Sequence, residues 1–160
     1  MSIRHSSSAD VARLIAELTG GDALRREMAL ARLAVIGSRA TTPLLAVASD
    51  GAQADHSRVA AFEALEAIGD TRILTTALAA IIGPSDDVAV AAIGALGPIA
   101  RGDDARATKA FDRLASLATA ADAPTGRRLA ALAALEGQPE TLLRPLYEAL
   151  AKDPASKVVA

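Results

Sequence analysis

Apolar side chains recur along the chain at steps of three and four residues, and short polar stretches that contain glycine, proline or aspartate interrupt them. This spacing is typical of amphipathic helices. Residues 55–70 show it most clearly, and their apolar positions are Val59, Ala61, Phe62, Leu65 and Ile68. Asp55 can accept hydrogen bonds from the first free amides, and Gly69 can adopt the left-handed conformation that ends a helix. The segment is therefore predicted to be one helix with both ends marked.

Similar start and stop signals mark the helices before this segment. Ser8 or Asp10 begins a first helix, which ends at Gly20. Asp22 begins a second helix, which ends at Gly37. The predicted apolar face of the second helix consists of Leu24, Met28, Ala31 and Val35, with Leu33 and Ile36 beside it.

The same reasoning predicts the remaining helices. Thr42 followed by Pro43 begins a short third helix, because proline is well tolerated at the first helical position. Ser85 caps a helix with two aspartates in its first turn, where the helix dipole favours negative charge. Pro145 either kinks the last helix or lies near its start. No strand signal is evident, so no sheet is predicted.

One helical segment is repeated along the chain. The copies read A-R-L-A-V-I-G at residues 31–37, E-A-L-E-A-I-G at 63–69, G-A-L-G-P-I-A at 94–100 and, more loosely, A-A-L-A-A-L-E at 130–136. The matched leucines are Leu33, Leu65, Leu96 and Leu132, at spacings of 32, 31 and 36 residues. A period of this length with two helices in each unit is typical of an α-solenoid.

The predicted fold is therefore an all-α, right-handed α-solenoid of antiparallel helix pairs, a HEAT-like or armadillo-like superhelix. Residues 1–160 are expected to form a single domain of about four pairs and an incomplete fifth. Residues 1–7 are expected to be flexible. Residues 152–160 resemble the start of a further second helix, which is either truncated or a worn C-terminal cap.

The repeated segment resembles the HEAT-repeat family, and more closely its short bacterial HEAT-like subfamily, which is named after repeats in phycobilisome lyases. The family pattern is roughly D-x-x-V-R-x-x-A-A-x-A-L-x-x-I-G, and residues 55–69 match it best. Arg58 stands before Val59 here instead of after it, and the third copy has Ala89 in place of the arginine. The resemblance covers nearly the whole chain, and it implies helix packing without a catalytic residue.

Composition narrows the classes of function. The 160 residues are 51% hydrophobic but only 2% aromatic, there is no cysteine, and the net charge is −2. The lack of cysteine excludes disulfides, thiolate metal sites and a cysteine nucleophile. The near-neutral charge provides no global attraction to nucleic acid or to an anionic membrane. The N-terminus has no signal-peptide pattern and every apolar stretch is shorter than the roughly 20 residues of a membrane span, so a cytoplasmic protein without membrane segments is predicted.

Few side chains point to catalysis. His5 and His56 are the only histidines, and no HExxH motif or glycine-rich phosphate loop is present. His56 is interpreted as a solvated residue in the first turn of its helix. The serines at positions 6–8 have no histidine or lysine spaced to activate them, and they are interpreted as flexible chain and a helix cap. No enzyme activity, cofactor or metal is therefore predicted.

Two features indicate a binding surface. The first is a basic group that comprises Arg25, Arg26, Arg32, Arg39 and Arg58. It is read either as a nucleic-acid site or as a solvated face, in which Arg26 and Arg58 pair with acids such as Asp22 or Asp55. The second is the absence of polar side chains from residue 88 to 100, which indicates either the floor of a partner groove or packing by small side chains. The predicted partner-binding residues are Arg25, Arg32, Arg58, Glu66, Val90, Ile93 and Gly94.

The leading hypothesis from these patterns is a non-catalytic scaffold or adaptor that binds a protein on the concave face formed by the second helices. The first alternative, implied by the resemblance, is a lyase- or chaperone-like subunit that handles a tetrapyrrole on phycobiliproteins, although few aromatic residues are available to line a pigment groove. The second alternative is nucleic-acid binding through the N-terminal arginines, against which the interleaved glutamates and the net charge argue. A monomer or a weak homodimer is expected.

Overall fold

The computed structural model describes residues 7–20 and 22–152. Within these ranges the chain is helical and has no strand. The α-helices are α1 (Ser8–Gly20), α2 (Ala23–Ile36), α3 (Ser38–Ser49), α4 (Asp55–Ile68), α5 (Leu74–Ala80), α6 (Asp86–Ala100), α7 (Ala105–Thr119), α8 (Thr125–Ala134) and α9 (Glu140–Lys152), and a 3-10 helix (Thr71–Ile73) precedes α5. His5 and most of the expected flexible start and incomplete fifth repeat lie outside the described residues.

The helices are arranged as an all-α solenoid. Each odd-numbered helix from α1 to α7 packs against the helix that follows it, which gives four pairs. The second helices α2, α4, α6 and α8 also pack side by side, and α4 against α6 is the most extensive of these contacts. Apolar side chains fill the layer between the two rows of helices. No helix in the described ranges is long and apolar enough to span a membrane.

The repeat register is confirmed for three copies and wrong for the fourth. Leu33, Leu65 and Leu96 are fully buried at equivalent places, but in the last copy the buried leucine is Leu135 and not Leu132. Two arginines with the same role support the corrected register, because each donates its Nε to a carbonyl ten residues earlier, Arg58 to Ala48 and Arg128 to Ala118. Each of these arginines stands seven residues before its buried leucine.

Most of the predicted helix ends are confirmed. The Asp22 carboxylate accepts from the Arg25 amide at 2.9 Å, and the Ser85 hydroxyl accepts from the Val88 amide at 3.4 Å. Gly37 and Gly69 have φ angles of 67° and 68°, which L-residues with side chains rarely adopt. The glycines therefore act as the stops that the sequence indicates.

Three predicted helix starts need correction. Ser7 caps α1, because its hydroxyl accepts from the Asp10 amide and its own amide donates to the Asp10 carboxylate. Ala54 occupies the cap position of α4, so Asp55 lies inside the first turn and makes no capping hydrogen bond. Helix α3 begins at Ser38 directly after Gly37, and Pro43 lies inside it. Gly37, with φ 67° and ψ −138°, joins α2 to α3 without a longer loop, and the Thr-Pro pattern does not indicate this.

The predicted apolar face of α2 is wrong for its four main residues, although Leu33 beside it is buried and Ile36 packs against the core. The buried residues of this helix are Ala29 and Leu33, whereas Leu24, Met28 and Val35 are exposed. Helix α2 packs against α1, its partner in the pair, and against α4, the next second helix. No second helix precedes α2 in the described residues. The stripe is apolar as predicted, but it faces outward.

A carboxylate links the first helices of the second and third pairs. The Asp70 carboxylate accepts from the Thr41 hydroxyl at 3.0 Å and from the Arg72 guanidinium, which also donates to the Ser38 carbonyl. These bonds, chiefly those from the Arg72 side chain, lower the pKa of Asp70 to about 2. The side chain of Asp70 is only 13% exposed, so it stays ionised inside an inter-repeat network.

This lowered pKa predicts acid sensitivity. The folded pKa lies below the ordinary value, so the contribution of Asp70 to stability is complete above about pH 4 and is lost as the pH falls towards about 2. We expect the ionised Asp70 carboxylate to contribute about 1 to 2 kcal/mol to the free energy of unfolding. This is less than the full pKa shift implies, because Arg72 is half exposed. Urea unfolding of Asp70→Asn at pH 7 and at pH 2.5 measures it: the variant should be less stable than wild type at pH 7, and the difference should shrink at pH 2.5.

The matched control is Asp104→Asn, because Asp104 lies near Arg106 with N and O atoms 4.0 Å apart and both side chains are at least half exposed. A difference between Asp70→Asn and wild type that is the same at both pH values would contradict the role given to Asp70.

Candidate functional site

A groove of about 960 Å³ runs along the row of second helices. Helices α2, α4, α6 and α8 all contribute to its lining. Its volume falls in the range of pockets that hold small molecules. Its charged or polar lining residues are Arg26, His56, Glu63, Glu66 and Asp87, and the remainder are alanine, valine and glycine.

The charged residues lie at two levels of the groove. Arg26 lies in the first turn of α2, His56 in the first turn of α4 and Asp87 in the first turn of α6. The three side chains therefore lie near one edge of the groove. The helix dipoles add partial positive charge at that edge. Glu63 and Glu66 are two to three turns further along α4, beside the small residues of α6 and α8. The groove therefore has one arginine, one histidine and one aspartate at its edge and two further carboxylates along α4.

Glu66 lies directly over the backbone of α6. A Cβ atom placed on Gly94 would be only 2.7 Å from the Glu66 Oε2 atom, so the glycine makes room for the carboxylate. Partial burial of this carboxyl raises the pKa of Glu66, the neighbouring charge of Glu63 raises it further, and Arg101 opposes the shift. The groove thus holds a carboxyl group that binds its proton more tightly than an ordinary glutamate.

The structure places only some of the predicted partner-binding residues in the groove. Glu66, Val90 and Gly94 line the groove, and Val90 is 38% exposed. Ile93 is fully buried, so its proposed place on the groove floor is wrong. One residue is a 100° rotation on a helix, which turns Ile93 away from Gly94 and into the layer between the two rows of helices.

The predicted basic group is not one surface. Arg25 and Arg32 are exposed on α2 but do not line the groove, whereas Arg26 does. Arg58 donates to the Ala48 carbonyl and does not form the expected pair with Asp55. Asp22 has Arg25 as its partner, at 3.7 Å, and not Arg26.

Three charged or polar groove residues, His56, Glu63 and Asp87, are not among those predicted from the sequence, although the repeat contains a signal for them. His56 and Asp87 both stand nine residues before the matched leucine of their repeat, and Glu63 and Gly94 both stand two residues before it. Positions that share a repeat register share a face of the solenoid. Following the register of the predicted Gly94 back to the second copy would have identified Glu63 as a groove residue.

Metal chemistry has no arrangement to support it in the described part of the chain. Nowhere in residues 7–20 and 22–152 do three or more histidine, aspartate or glutamate side chains converge as metal ligands. The groove carboxylates are therefore considered as hydrogen-bonding and proton-exchanging groups.

No family model and no curated protein matches this chain. A solved structure is similar over nearly its full length: the complex of CpcE and CpcF of phycocyanin lyase from Nostoc sp. PCC7120. The TM-score is 0.73 at 23% sequence identity, and the alignment covers 95% of this chain and 96% of the other. The comparison confirms the resemblance to HEAT-like repeat proteins of the phycobilisome-lyase type at the level of the fold.

This comparison corrects the leading hypothesis. A non-catalytic scaffold was favoured because no catalytic motif is visible in the sequence, but the similar chain belongs to a phycocyanin lyase. The comparison therefore favours the lyase- or chaperone-like alternative over the scaffold, and the expectation that the chain is not an enzyme is not confirmed. The similar structure is a complex of two different chains, which supports the expectation of a protein partner.

Proposed function

We propose that this chain is a subunit of a lyase-like or chaperone-like assembly that holds a linear tetrapyrrole in the groove of its second helices. Residues 1–160 form one helical-repeat domain in this proposal, and the assembly is cytoplasmic and bacterial. The whole-length similarity to a phycocyanin lyase chain suggests the class of activity. A fold alone does not define a function. The groove is the observation that supports the proposal and identifies the residues involved.

The distribution of charge in the groove suits a tetrapyrrole. Such a pigment carries two propionate groups on one edge and pyrrole nitrogens along its conjugated backbone. In the proposal Arg26 binds a propionate at the edge of the groove and His56 donates a hydrogen bond to it. The helix dipoles of α2 and α4 add partial positive charge there, which opposes the negative charge of Asp87 at the same edge. Glu63 and Glu66 lie two to three turns further along α4, and in the proposal their carboxylates accept hydrogen bonds from the pyrrole N–H groups.

Small side chains take the place of aromatic ones in this groove. Phe62 is fully buried, Phe111 is packed against the core, and Tyr147 lies on α9, so no aromatic residue of the described chain lines it. The floor is formed instead by alanines from α4, α6 and α8 together with Gly94. Short side chains leave a shallow, even surface against which a conjugated pigment can lie, so the small number of aromatic residues does not argue against the proposal.

Glu66 is the residue with the clearest chemical role. Its pKa is raised, so the carboxyl can exchange a proton with a bound pigment closer to neutral pH than an ordinary glutamate. The chain contains no cysteine, so any thioether chemistry uses a thiol of the acceptor protein. The groove's own contribution in this proposal is to bind and orient the pigment and to hold or release a proton at Glu66.

Titration of a phycobilin into the purified chain tests this proposal. We expect induced circular dichroism in the visible range and a shift of the absorbance band, since a pigment fixed in a groove loses its conformational averaging. Arg26→Ala should weaken binding about fivefold, which corresponds to about 1 kcal/mol for one accessible charge pair. Glu148→Gln on the exposed face of α9 is the matched control and should bind as wild type does.

Gly94→Ala separates binding from folding. Alanine favours a helix over glycine by up to about 1 kcal/mol, and the atom that it displaces is the mobile end of Glu66. We therefore expect the variant to be as stable as wild type or slightly more stable, but to bind the phycobilin more weakly. A wild-type chain with no induced dichroism, or an Arg26→Ala variant with unchanged affinity, would contradict the proposed site.

A further inference from the structure

Carboxylates outnumber cations in the groove. Glu63, Glu66 and Asp87 line it together with one guanidinium, that of Arg26, so its charge is −2 when all four are ionised and His56 is neutral. Within residues 7–20 and 22–152, none of these side chains has an ion-pair partner within 4.0 Å. A linear tetrapyrrole adds two negative charges with its propionates. The bound state therefore brings like charges together, and a proton taken from solvent would reduce their repulsion.

The position of Glu66 in the fold disfavours a negative charge. It lies in the last turn of α4, where the helix dipole contributes partial negative charge. Glu63 is one turn earlier on the same helix, so two carboxylates share one face. The Glu66 carboxylate also lies against the backbone of α6 at Gly94, which keeps water away from that side. Asp87 has the opposite setting, because it lies in the first turn of its helix, where the dipole favours its charge.

The groups on the neighbouring helices do not cancel this effect. Arg101, which follows the last residue of α6, lowers the pKa of Glu66, but burial and the charge of Glu63 outweigh it and the pKa is raised. Helix α8 lines the groove with alanines only, and α1 and α3, which also pack against α4, contribute no lining residue. The other charged or polar groups of the groove are Arg26 on α2, His56 and Glu63 on α4, and Asp87 on α6.

We propose that the groove takes up one proton at the Glu66 carboxyl when it binds the tetrapyrrole. The inference rests on the proposed function, because it concerns the same groove and the same ligand. The proton passes from solvent to one Glu66 oxygen, and no bond of the pigment forms or breaks. The other oxygen still accepts a hydrogen bond from a pyrrole N–H, and the new O–H can donate to a ring nitrogen that carries no hydrogen.

This proton uptake makes the affinity depend on pH. The complex then holds one more proton than the free chain at any pH between the free and the bound pKa of Glu66. By linkage, the affinity falls as the pH rises through that range. We expect the Kd to rise about tenfold from pH 6 to pH 8, so the groove holds the pigment in its protonated state and releases it when the proton is lost.

Isothermal titration calorimetry of the full chain with a phycobilin measures the uptake, since the observed heat depends on the ionisation enthalpy of the buffer. Wild type should take up more than about half a proton per bound pigment at pH 6.5. Glu66→Gln keeps the shape of the side chain but cannot take up the proton. It should therefore show no uptake and should bind at pH 8 at least as tightly as wild type. The dimethyl ester of the phycobilin lacks the propionate charges and should cause less than half of the wild-type uptake.

His56→Gln is the matched control, because histidine is the other groove side chain that ordinarily titrates near neutral pH. This variant should bind the phycobilin less tightly but should still take up the proton. The inference is overturned if Glu66→Gln retains the uptake, if His56→Gln loses it, or if wild type binds equally well at pH 6 and pH 8. It is also overturned if the visible absorbance band shows that the bound pigment itself carries the proton.

Failure of the proposed function gives a different result. A wild-type chain that shows neither binding heat nor induced dichroism with a phycobilin at any pH from 6 to 8 overturns the proposed function, and the proton uptake with it. A chain that binds the pigment with the same affinity throughout this range overturns the proton uptake alone.

Discussion

Leu65→Asp is expected to unfold the chain at room temperature. Leu65 is fully buried in the layer between repeats, where α4 packs against its neighbours. An aspartate there would remove the apolar contacts and leave a carboxylate without water or a partner. We expect a loss of more than about 4 kcal/mol, which is a large share of the stability of a domain of this size. Far-ultraviolet circular dichroism with urea titration measures the effect.

Glu66→Ala is the matched control for this substitution, because it changes the next residue of the same helix. Glu66 lines the groove and reaches solvent, so its replacement should change the stability by no more than about 0.5 kcal/mol. Equal losses for the two variants would show that the assigned faces of α4 are wrong. The pair therefore tests the division of one helix into a packing side and a groove side.

Arg127→Ala is expected to cause the second largest loss. The Arg127 guanidinium donates to the Ile81 carbonyl at 3.0 Å, to the Gly83 carbonyl at 2.9 Å and to Asp86 at 2.8 Å. Its side chain is only 12% exposed. Alanine would leave two partly buried carbonyl oxygens without this donor and would detach α8 from the loop before α6. We expect a loss of about 2 to 4 kcal/mol by urea unfolding.

Two variants control for charge and for shape. Arg144→Ala removes an exposed arginine whose pair with Glu140 is 3.5 Å long, so it should cost less than about 1 kcal/mol. Arg127→Lys keeps the charge but loses the planar fork that reaches three acceptors at once, so it should recover only part of the stability. Full recovery by lysine would mean that charge, and not the hydrogen-bond geometry, holds α8 in place.

The sequence predicts the local features of this protein well. The cap at Asp22, the left-handed stop at Gly69 and the buried leucine at Leu65 depend on neighbours within a few residues, so they are legible in a single segment. The repeat adds the pairing of helices, because each copy needs the next one to bury its apolar face. The fold class follows from these two levels together.

Position within the array decided the rest. Helices α4 and α6 each have a second helix on both sides, but α2 has one only on the side of α4, and its apolar residues Leu24, Met28 and Val35 are exposed. Ile93 and Gly94, adjacent in sequence, lie in the core and in the groove because one residue is a 100° rotation on a helix. Arg58 donates to a carbonyl of the preceding helix. The sequence by itself determined the helices, their ends and their repetition. Only the tertiary structure decided which side of a helix meets another helix, which lines the groove and which stays exposed, because helical periodicity specifies a face but not its neighbour.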